Sequence, residues 1–347
     1  MRPSFFYHLH PPTIPATQAR FRHTLGLGGL SIYMVLVLVV TGALLMFFYV
    51  PTPAGAAASV QTLAFLVPYG ALIRNLHYWS AQLLLAFVFF HLVRVLFTGA
   101  FTKPRRVNYL LGLGLLVLAL LLDFTGYVLR WDEGVHWALV TGTNLIRSIP
   151  LAGGAFYRLI VGGDSPGGQT LIRFYAWHIF GLTLILIAIG VWHLFRVRRD
   201  GGIAVPPPYR RGNPDRISRD ELARREVLAL LVSTILLLLL GAFVPAPIAP
   251  SMDPSTSISV DARAPWFFLW IQQLLRQGNP FLFGVLIPAL VLLSLAGIPF
   301  LFRIKDPGEI GKWFPKGNYG PQIWMVLLVF AWLVLTLMAL APDIPLP

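Results

Sequence analysis

The chain has 347 residues, 56% of them hydrophobic and only 12% charged, and its mean hydropathy of +0.72 is far above that of soluble domains. It contains no cysteine, which excludes a disulfide, a cysteine-held iron–sulfur cluster and haem attachment through C-x-x-C-H within this chain. These values predict a polytopic membrane protein.

Seven apolar segments are long enough to cross about 30 Å of hydrocarbon at roughly 1.5 Å per residue. The first 26 residues lack an apolar h-region, so no cleavable signal peptide is expected. The predicted fold class is all-α, a transmembrane bundle of about seven spanning helices. In chain order the spans are predicted near residues 27–50, 75–99, 108–129, 174–196, 226–247, 280–302 and 321–341.

The net charge of +13 is distributed unevenly along the chain. With a cytoplasmic N-terminus, 20 of the 27 lysines and arginines fall on the cytoplasmic side, in the N-terminal tail and the even-numbered connections. This positive-inside asymmetry predicts a multi-pass protein of the cytoplasmic membrane with its N-terminus inside. Membrane topology therefore explains the basic charge, and no nucleic-acid partner is expected.

The connection after the fourth span is polar and rich in proline and arginine. It predicts a four-helix N-terminal domain over residues 1–200, a cytoplasmic linker over 201–225 and a three-helix C-terminal domain over 226–347. On the outer side, the connections 130–173 and 248–279 are long and aromatic, which is typical of functional loops.

Two of the predicted spans carry paired histidines. His77 and His91 lie fourteen residues apart in the second span, and His178 and His193 lie fifteen apart in the fourth. Because a helix turns 100° per residue, each pair lies on one helix face, separated by roughly 21–22 Å along the axis. Both helices run from outside to inside, so His77 is level with His178, and His91 with His193.

Two facing pairs at two depths predict two bis-histidine sites, which suit two b-type haems acting as one-electron carriers in a four-helix di-haem core. Zinc would normally gather four ligands in one cluster. A single histidine in a membrane is often only hydrogen-bonded to a neighbouring helix, but two pairs matching in spacing and depth favour cofactor ligation. Surface or interfacial roles are expected for His8, His10, His23 and His136.

Glycines and arginines accompany these histidines. The first span has two glycines fourteen residues apart, and so does the third. Since glycine permits close backbone approach, these positions are predicted to contact the porphyrin edges. Two arginines, each three residues from a second-span histidine, are expected to pair with haem propionates, although positive-inside placement explains the inner one equally well. The residues are Gly28, Gly42, Gly112, Gly126, Arg74 and Arg94.

Longer motifs resemble the cytochrome b family of Rieske/cytochrome b complexes, especially the split chloroplast-type form. RFYAWH (173–178) resembles that form's fourth helix, and GYVLRWDEGVHWALVTGTNLIRSIP (126–150) resembles the family's loop at the outer quinone site. APWFFLWIQQLLR (264–276) is similar to the stretch that carries Pro-Glu-Trp-Tyr. Residues 1–200 resemble the four-helix cytochrome b6 subunit and about 215–347 resemble the three-helix subunit IV, here fused.

The resemblance implies a cytochrome b subunit that oxidises quinol at the outer face and passes electrons through two b haems, coupled to proton translocation. It implies as partners membrane lipid, the quinone pool, a Rieske iron–sulfur protein, a c-type cytochrome or other acceptor subunit, and a homodimer of the complex. An inner quinone pocket is expected near Arg198 and Asp200. The residues implied for the outer quinone pocket are Phe124, Tyr127, Trp137, Ala138, Thr141, Pro265, Trp266 and Phe267.

Three positions depart from the family pattern. Pro265 stands where the motif has the glutamate that accepts the quinol proton, and Arg130 stands where it has a proline. Gly26 replaces the cysteine that tethers an extra haem in the chloroplast-type form, so no tethered haem is expected. Proline cannot accept or relay a proton, so another acceptor is required. The nearby titratable candidates are Asp132, Glu133, His136 and Asp261.

Two alternative functions remain open. One is a non-bifurcating quinone oxidoreductase subunit partnered by a multihaem or iron–sulfur protein, which the missing glutamate favours. The other is a structural membrane anchor whose haems only stabilise the bundle. The two long aromatic outer loops argue against the anchor, because an anchor needs no such pocket.

Overall fold

The structure of the chain, a computed structural model, describes residues 12–205, 215–251, 263–317 and 319–341. Seven helices of this part are long and apolar enough to span a membrane, which confirms the predicted all-α polytopic fold. They are called the first to seventh spans below. In chain order they are Leu27–Met46, Gly70–Phe97, Arg106–Val128, Gly168–Arg199, Arg219–Phe243, Phe281–Leu301 and Gly320–Leu340.

The connections contain short regular elements. A two-stranded antiparallel ribbon pairs β1 (Thr13–Pro15) with β2 (Arg216–Ser218), so the segments before the first and fifth spans lie on the same side of the bundle. The short α-helices are Phe21–Thr24, Ala56–Phe65, Glu133–Arg147, Gly153–Val161 and Leu269–Leu275. The 3-10 turns are Ala16–Ala19, Trp266–Phe268 and Pro307–Glu309.

The fifth span begins earlier than hydropathy alone predicts. Its helix starts at Arg219, because the Ser218 hydroxyl caps it by accepting a hydrogen bond from the backbone N–H of Glu221 at 3.2 Å. The first two helical turns are therefore polar and precede the apolar part that hydropathy detects. The domain boundary at 226 stays a prediction, and residues 206–214 of the predicted linker lie outside the described residues.

The long connection between the third and fourth spans, predicted to lie on the outer side, is largely helical. Its helix Glu133–Arg147 buries Val135 and Leu139 completely on one face. This amphipathic spacing covers the outer end of the four-helix core, where Leu139 joins a cluster with Val128 and Leu171.

The last three spans pack directly against the first four. One apolar cluster combines Leu92 and Leu96 of the second span with Leu295 and Met325 of the sixth and seventh. In the membrane, where water cannot satisfy polar groups, cross-connecting hydrogen bonds also matter. Asn75 donates to the carbonyl of Gly241 at 2.8 Å and accepts from the N–H of Ala246 at 2.9 Å. Tyr109 donates to the carbonyl of Leu295 at 2.8 Å.

Candidate functional site

One histidine pair, predicted to lie near the outer surface and called the outer pair below, faces across the bundle. The ring centroids of His77 and His178 are 6.3 Å apart, with 69° between the ring planes. An imidazole nitrogen lies about 2 Å from a bound metal ion, so two such bonds and the two ring radii together span roughly 6 Å. The separation therefore leaves room for one metal ion between the two rings.

Hydrogen bonds orient the His77 ring. Its Nδ1 lies 2.9 Å from the hydroxyl of Thr41, and that hydroxyl already donates to the carbonyl of Val37 at 2.6 Å. The imidazole must therefore be the donor, which leaves Nε2 with a free lone pair. Fixing the tautomer in this way is how proteins prepare a ligating histidine.

His178 is oriented by the same kind of hydrogen bonds. Its Nδ1–H donates to the carbonyl of Leu122 at 3.0 Å and lies 3.2 Å from the hydroxyl of Thr125. In both spans the threonine directly precedes a glycine, at Thr41-Gly42 and Thr125-Gly126. The two halves of the outer site are thus built alike, from one threonine–glycine pair each.

The inner pair is held in a similar arrangement. His91 and His193 line a small cavity of about 40 Å³, and Nδ1–H of His193 donates to the carbonyl of Asn108 at 3.1 Å. Arg94 donates to the carbonyl of Ala204 at 2.8 Å, while its buried Nε has no hydrogen-bond partner among the described residues. Such an orphaned donor fits an acidic group bound nearby, because buried polar atoms are normally paired.

The four glycines each face a histidine of the neighbouring helix. At three of them a Cβ would lie within 3.2 Å of the ring and push it away, most severely at Gly126, whereas at Gly28 it would make an ordinary contact. Gly42, Gly112 and Gly126 therefore make room for the imidazoles themselves, and the expected contact with the porphyrin edge stays a prediction. The added Cβ would lie 3.1 Å from Cε1 of His77 at Gly42, 2.6 Å from His178 at Gly126, 3.5 Å from His91 at Gly28 and 3.2 Å from His193 at Gly112.

A π-helical segment explains the unequal histidine spacing. Residues Trp177–Gly181 form a π-turn inside the fourth span, and His178 lies within it. Fifteen residues would overshoot the face that fourteen restore, but a π-turn accommodates one extra residue. The π-turn thus offsets the longer spacing between His178 and His193.

The ligand set fits a cofactor that brings its own metal and its own equatorial ligands. Within the described ranges, no group of three or more histidine, cysteine, aspartate or glutamate side chains could hold a metal ion alone. His77, His178 and His193 are oriented with Nε2 free, and a glycine of the neighbouring helix faces each of the four imidazoles, so two such pairs would suit two haems.

A cavity of about 840 Å³ opens beside the outer histidine pair and is within the size range of ligand pockets. Four of the eight residues predicted for the outer quinone pocket line it, together with His77, His178 and Arg74. The four are Tyr127, Pro265, Trp266 and Phe267.

The other four predicted quinone residues are not part of this cavity's wall as far as the structure describes it. The ring of Phe124 packs instead against Phe174 and Phe268, at centroid distances of 6.1 and 6.0 Å. Trp137 lies edge-on to His136, 5.0 Å between ring centroids. A sequence motif indicates proximity but not which helix face meets the cavity. The four residues outside the wall are Phe124, Trp137, Ala138 and Thr141.

The predicted proton acceptors differ sharply in their surroundings. Asp132 is buried, forms an ion pair with Arg130 at 2.7 Å and accepts a hydrogen bond from the N–H of Ala249. It therefore joins the connection after the third span to the segment after the fifth. Glu133 lines the cavity with an exposed side chain. His136 is not on the cavity wall, and Asp261 lies outside the described residues.

Tyr49 on the cavity wall is held as a neutral hydroxyl. It donates to the carbonyl of Leu129 at 2.8 Å and stacks on Tyr175 at 5.4 Å. Burial, and secondarily Tyr175, raises the pKa of Tyr49 far above its ordinary value. Because this neutral hydroxyl donates a hydrogen bond to a backbone carbonyl, Tyr49 shapes the cavity wall and does not take up protons.

The predicted propionate and inner-pocket residues have protein partners. Arg74 donates to the carbonyls of Ala246, at 3.1 Å, and Pro247, which ties down the segment after the fifth span. Asp200 is buried and forms ion pairs with Arg196 at 2.9 Å and Arg199 at 3.1 Å. Neither Asp200 nor Arg198 lines the outer cavity or the small inner one in the described part of the chain, so the inner quinone pocket stays a prediction.

Sequence reasoning missed several polar residues at the outer site. Thr41 and Thr125 were detectable as a threonine preceding each outer glycine. Asp123, within the apolar run LLLDFTGY (120–127), and Gln82 both line the cavity. A carboxylate inside a membrane span is itself a signal, because its burial in hydrocarbon is costly.

A membrane bundle that carries two imidazole pairs at two depths is typical of the class of transmembrane haem-binding electron carriers. The family model described as Cytochrome b/b6/petB matches residues 15–201, more than half of the chain. The chain belongs to the cytochrome b/b6 family, which confirms the resemblance read from its motifs.

Known proteins extend this comparison. Cytochrome b6 of Heliobacterium mobile is 43% identical over 183 residues, which are 52% of this chain and 86% of that one. The menaquinol:cytochrome c reductase cytochrome b subunit of Geobacillus thermodenitrificans is 35% identical over 175 residues, 50% of this chain and 78% of that one. A chain of a solved hyperthermophilic respiratory Complex III, 21% identical, matches with a TM-score of 0.79 over 93% of this chain and 85% of that chain. This last likeness extends the shared fold to the final three spans.

Proposed function

We propose that this chain is the cytochrome b subunit of a membrane quinol oxidoreductase. Quinol is oxidised at the outer cavity, electrons cross the membrane through two b-type haems, and the reaction is coupled to proton translocation. The observation that carries the proposal is the outer imidazole pair opening into a cavity of about 840 Å³, with a second imidazole pair on the same two helices.

The haems, when bound, supply one-electron transfer, which the side chains of this protein cannot perform. His77 and His178 would hold the outer haem and His91 and His193 the inner one. The hydrogen bonds at Nδ1 of His77, His178 and His193 orient these rings and keep Nε2 available.

The outer cavity would bind the quinol head group. Its wall is mainly apolar and aromatic, which excludes water, and its few polar groups can orient a hydroxyl. The outer haem would fill the part of this cavity next to His77 and His178, so a quinol would take the part lined by Pro265, Trp266 and Phe267, and its protons are released toward the outer face.

The proposal includes the surroundings of the subunit. The partners are membrane lipid, the quinone pool, a Rieske iron–sulfur protein and a c-type cytochrome or other acceptor subunit, in a homodimer of the complex. The relatives' names, which include a menaquinol:cytochrome c reductase, support this assignment. The N-terminus faces the cytoplasm, and the last three spans act as a fused companion domain beyond a linker at about 201–225.

The haem content of the purified complex tests the cofactor assignment. We expect two b haems per chain, and we expect His178→Ala to remove the outer haem while the inner one keeps its spectrum. Fewer than two haems in the wild type, or two intact haems in the variant, would contradict the assignment.

Oxidant-induced haem reduction tests the reaction. The complex is given quinol with the inner quinone site blocked, and an oxidant pulse is added. Transient reduction of the b haems is the expected result, because one electron leaves to the high-potential acceptor and the other enters the haems.

A non-bifurcating quinone oxidoreductase subunit is the second candidate. It is favoured by one observation: Pro265, on the cavity wall, replaces the glutamate of the family motif. In that case the partner is a multihaem or iron–sulfur protein, and the oxidant pulse leaves the haems oxidised while quinol is still consumed. A purely structural anchor predicts neither haem reduction nor quinol consumption.

A further inference from the structure

Among the described residues, two carboxylates line the outer cavity, Asp123 and Glu133. Glu133 has an exposed side chain at the start of a loop helix, whereas Asp123 lies inside the third span. A carboxylate at membrane depth is costly unless it is paired, and such residues usually take part in function. Asp123 lies one helical turn below Gly126, beside the outer imidazole pair.

The hydrogen bonds around Asp123 have a definite direction. The indole Nε1–H of Trp266 can only donate, and it donates to Oε1 of Gln82 at 2.7 Å. The amide of Gln82 must then present its NH₂ group to Asp123, and Nε2 lies 3.4 Å from Oδ1. This distance is at the long end for a hydrogen bond, so the carboxylate receives only weak neutral stabilisation.

The described cavity wall carries three arginines, Arg74, Arg130 and Arg263, and each of them has interactions of its own. Arg130 pairs with Asp132 through two nitrogens, and Arg74 donates to two backbone carbonyls. No ion pair of Asp123 is formed within the described part of the chain. The carboxylate is therefore not neutralised by a cation, which leaves proton uptake as its means of losing charge.

Other titratable groups also face the cavity. Tyr78 of the second span interacts electrostatically with Asp123, Arg74 and Arg130, and Tyr127 lies one turn beyond Asp123. The hydroxyl of Tyr127 donates a hydrogen bond to the carbonyl of Gly134 at 2.7 Å, so it is not free to accept a proton from quinol. Asp123 is the carboxylate that combines membrane depth, the cavity wall and a link through Gln82 to Trp266, next to Pro265.

We propose that Asp123, positioned by Gln82 and Trp266, accepts the quinol proton that the motif glutamate accepts elsewhere in the family. The inference rests on the proposed function. In the step, one quinol O–H bond breaks, its proton forms an O–H bond with the carboxylate of Asp123, and one electron leaves to the high-potential iron–sulfur acceptor of the proposed function. The oxidation is completed when the second O–H bond breaks, its proton leaves toward the outer face and the second electron enters the haems. Glu133, on the same cavity wall, then takes the proton toward the outer face.

The residues around Pro265 account for a proton acceptor that lies on the third span and not on the loop. Pro265 has neither a carboxylate nor a backbone N–H, but the adjacent Trp266 still reaches the cavity and binds Gln82. The loop thus retains a link to the acceptor while the acidic group sits on the third span. The loss of the motif glutamate then no longer argues for the non-bifurcating candidate.

The test uses the purified complex of the variant Asp123→Asn, which preserves shape but cannot accept the proton. A short-chain benzoquinol and a naphthoquinol are supplied separately as donors. We expect oxidant-induced haem reduction to slow about 100-fold or more, as for the loss of a general base. We also expect it to lose its pH dependence between pH 5 and 9 while both haem spectra and the quinol Kd stay unchanged. Asp123→Glu should restore at least a tenth of the wild-type rate.

A matched control and a second readout keep the result interpretable. Asp164→Asn removes an exposed carboxylate of the outer loop and should leave rate and pH profile unchanged. Infrared difference spectra of quinol oxidation in the wild type should show a protonated-carboxyl band that shifts in Asp123→Glu, even if Asp123→Asn fails to assemble. A wild-type rate in Asp123→Asn, or a band that does not shift, overturns the role of Asp123 alone. No haem reduction in the wild type overturns the proposed function together with it.

Discussion

At the scale of single residues, the space that a glycine of the neighbouring helix leaves next to an imidazole decides whether the ring can keep its position. Gly126 is the tightest of the four positions, since an added Cβ would lie 2.6 Å from the His178 ring. Such a contact forces the ring or the helix to move, because real Cβ atoms essentially never lie within 3.0 Å of another heavy atom.

Gly126→Ala is therefore expected to lose the outer haem and retain the inner one, which halves the haem content per chain. Haem is quantified by the pyridine haemochromogen assay and the outer haem by its reduced-minus-oxidised spectrum. Gly114→Ala, in the same span with open space around its Cβ, is the matched control and should retain both haems. Equal haem loss in both variants would show that the helix, not the ring clearance, is sensitive.

The threonine hydroxyls are the second prediction at this scale. Thr41→Val keeps the side-chain shape but removes the acceptor of the His77 Nδ1–H, so haem affinity at the outer site should fall about 10-fold, as for partners that orient metal ligands. Redox titration should show a shifted midpoint for the outer haem only. Thr143→Val, whose hydroxyl donates within the loop helix, should leave both midpoints in place; a shift there would point to a general packing effect.

At the scale of elements, the π-turn at Trp177–Gly181 reconciles a fifteen-residue spacing with a facing pair fourteen residues apart. A regular α-helix would rotate one histidine away from its partner by about 60–100°. The fourth span therefore depends on local helix geometry in a way that the second span does not.

Deleting Phe180, whose side chain is 66% exposed on the bundle surface, should convert the π-turn to regular helix and retain both haems. Inserting one alanine after Phe180 should remove one haem, because two extra residues exceed what one π-turn accommodates. Haem content and circular dichroism of the two variants test whether the π-turn accommodates the extra residue between His178 and His193. Loss of haem in the deletion, with helix content preserved, would refute this role of the π-turn.

At the scale of the whole molecule, the last three spans are held to the first four by apolar packing and by buried hydrogen bonds. Asn75 is central, because it satisfies two backbone groups at the end of the fifth span. Each buried group left without a partner costs about 1–3 kcal/mol.

A chain cut within residues 206–214 and co-expressed as two pieces should therefore still assemble and copurify. In this split form, Asn75→Ala should sharply reduce copurification of the C-terminal piece. Asn144→Ala, an exposed position of the loop helix, should not. Failure of the unsubstituted halves to associate would show that the covalent connection, rather than the packing, holds the two parts together.

Much of this architecture was predictable from sequence. The all-α fold, the seven spans and the family were predicted correctly, because apolar run length and helical periodicity are local properties. The roles of the four histidines and four glycines remain predictions that the observed geometry supports. Asp123 was missed, because its partners Gln82 and Trp266 come from other elements and only folding brings them together.

The sequence by itself determined how many helices cross the membrane, which histidines share a helix face and that the usual glutamate is absent. The tertiary structure alone decided that three of the four glycines clear an imidazole, that Phe124 packs into the core and not onto the cavity, and that Asp132 forms an ion pair with Arg130. The physical reason is the range of the forces involved. Periodicity and hydropathy act along one helix, whereas clearance, ion pairing and cavity walls depend on atoms contributed by several helices at once.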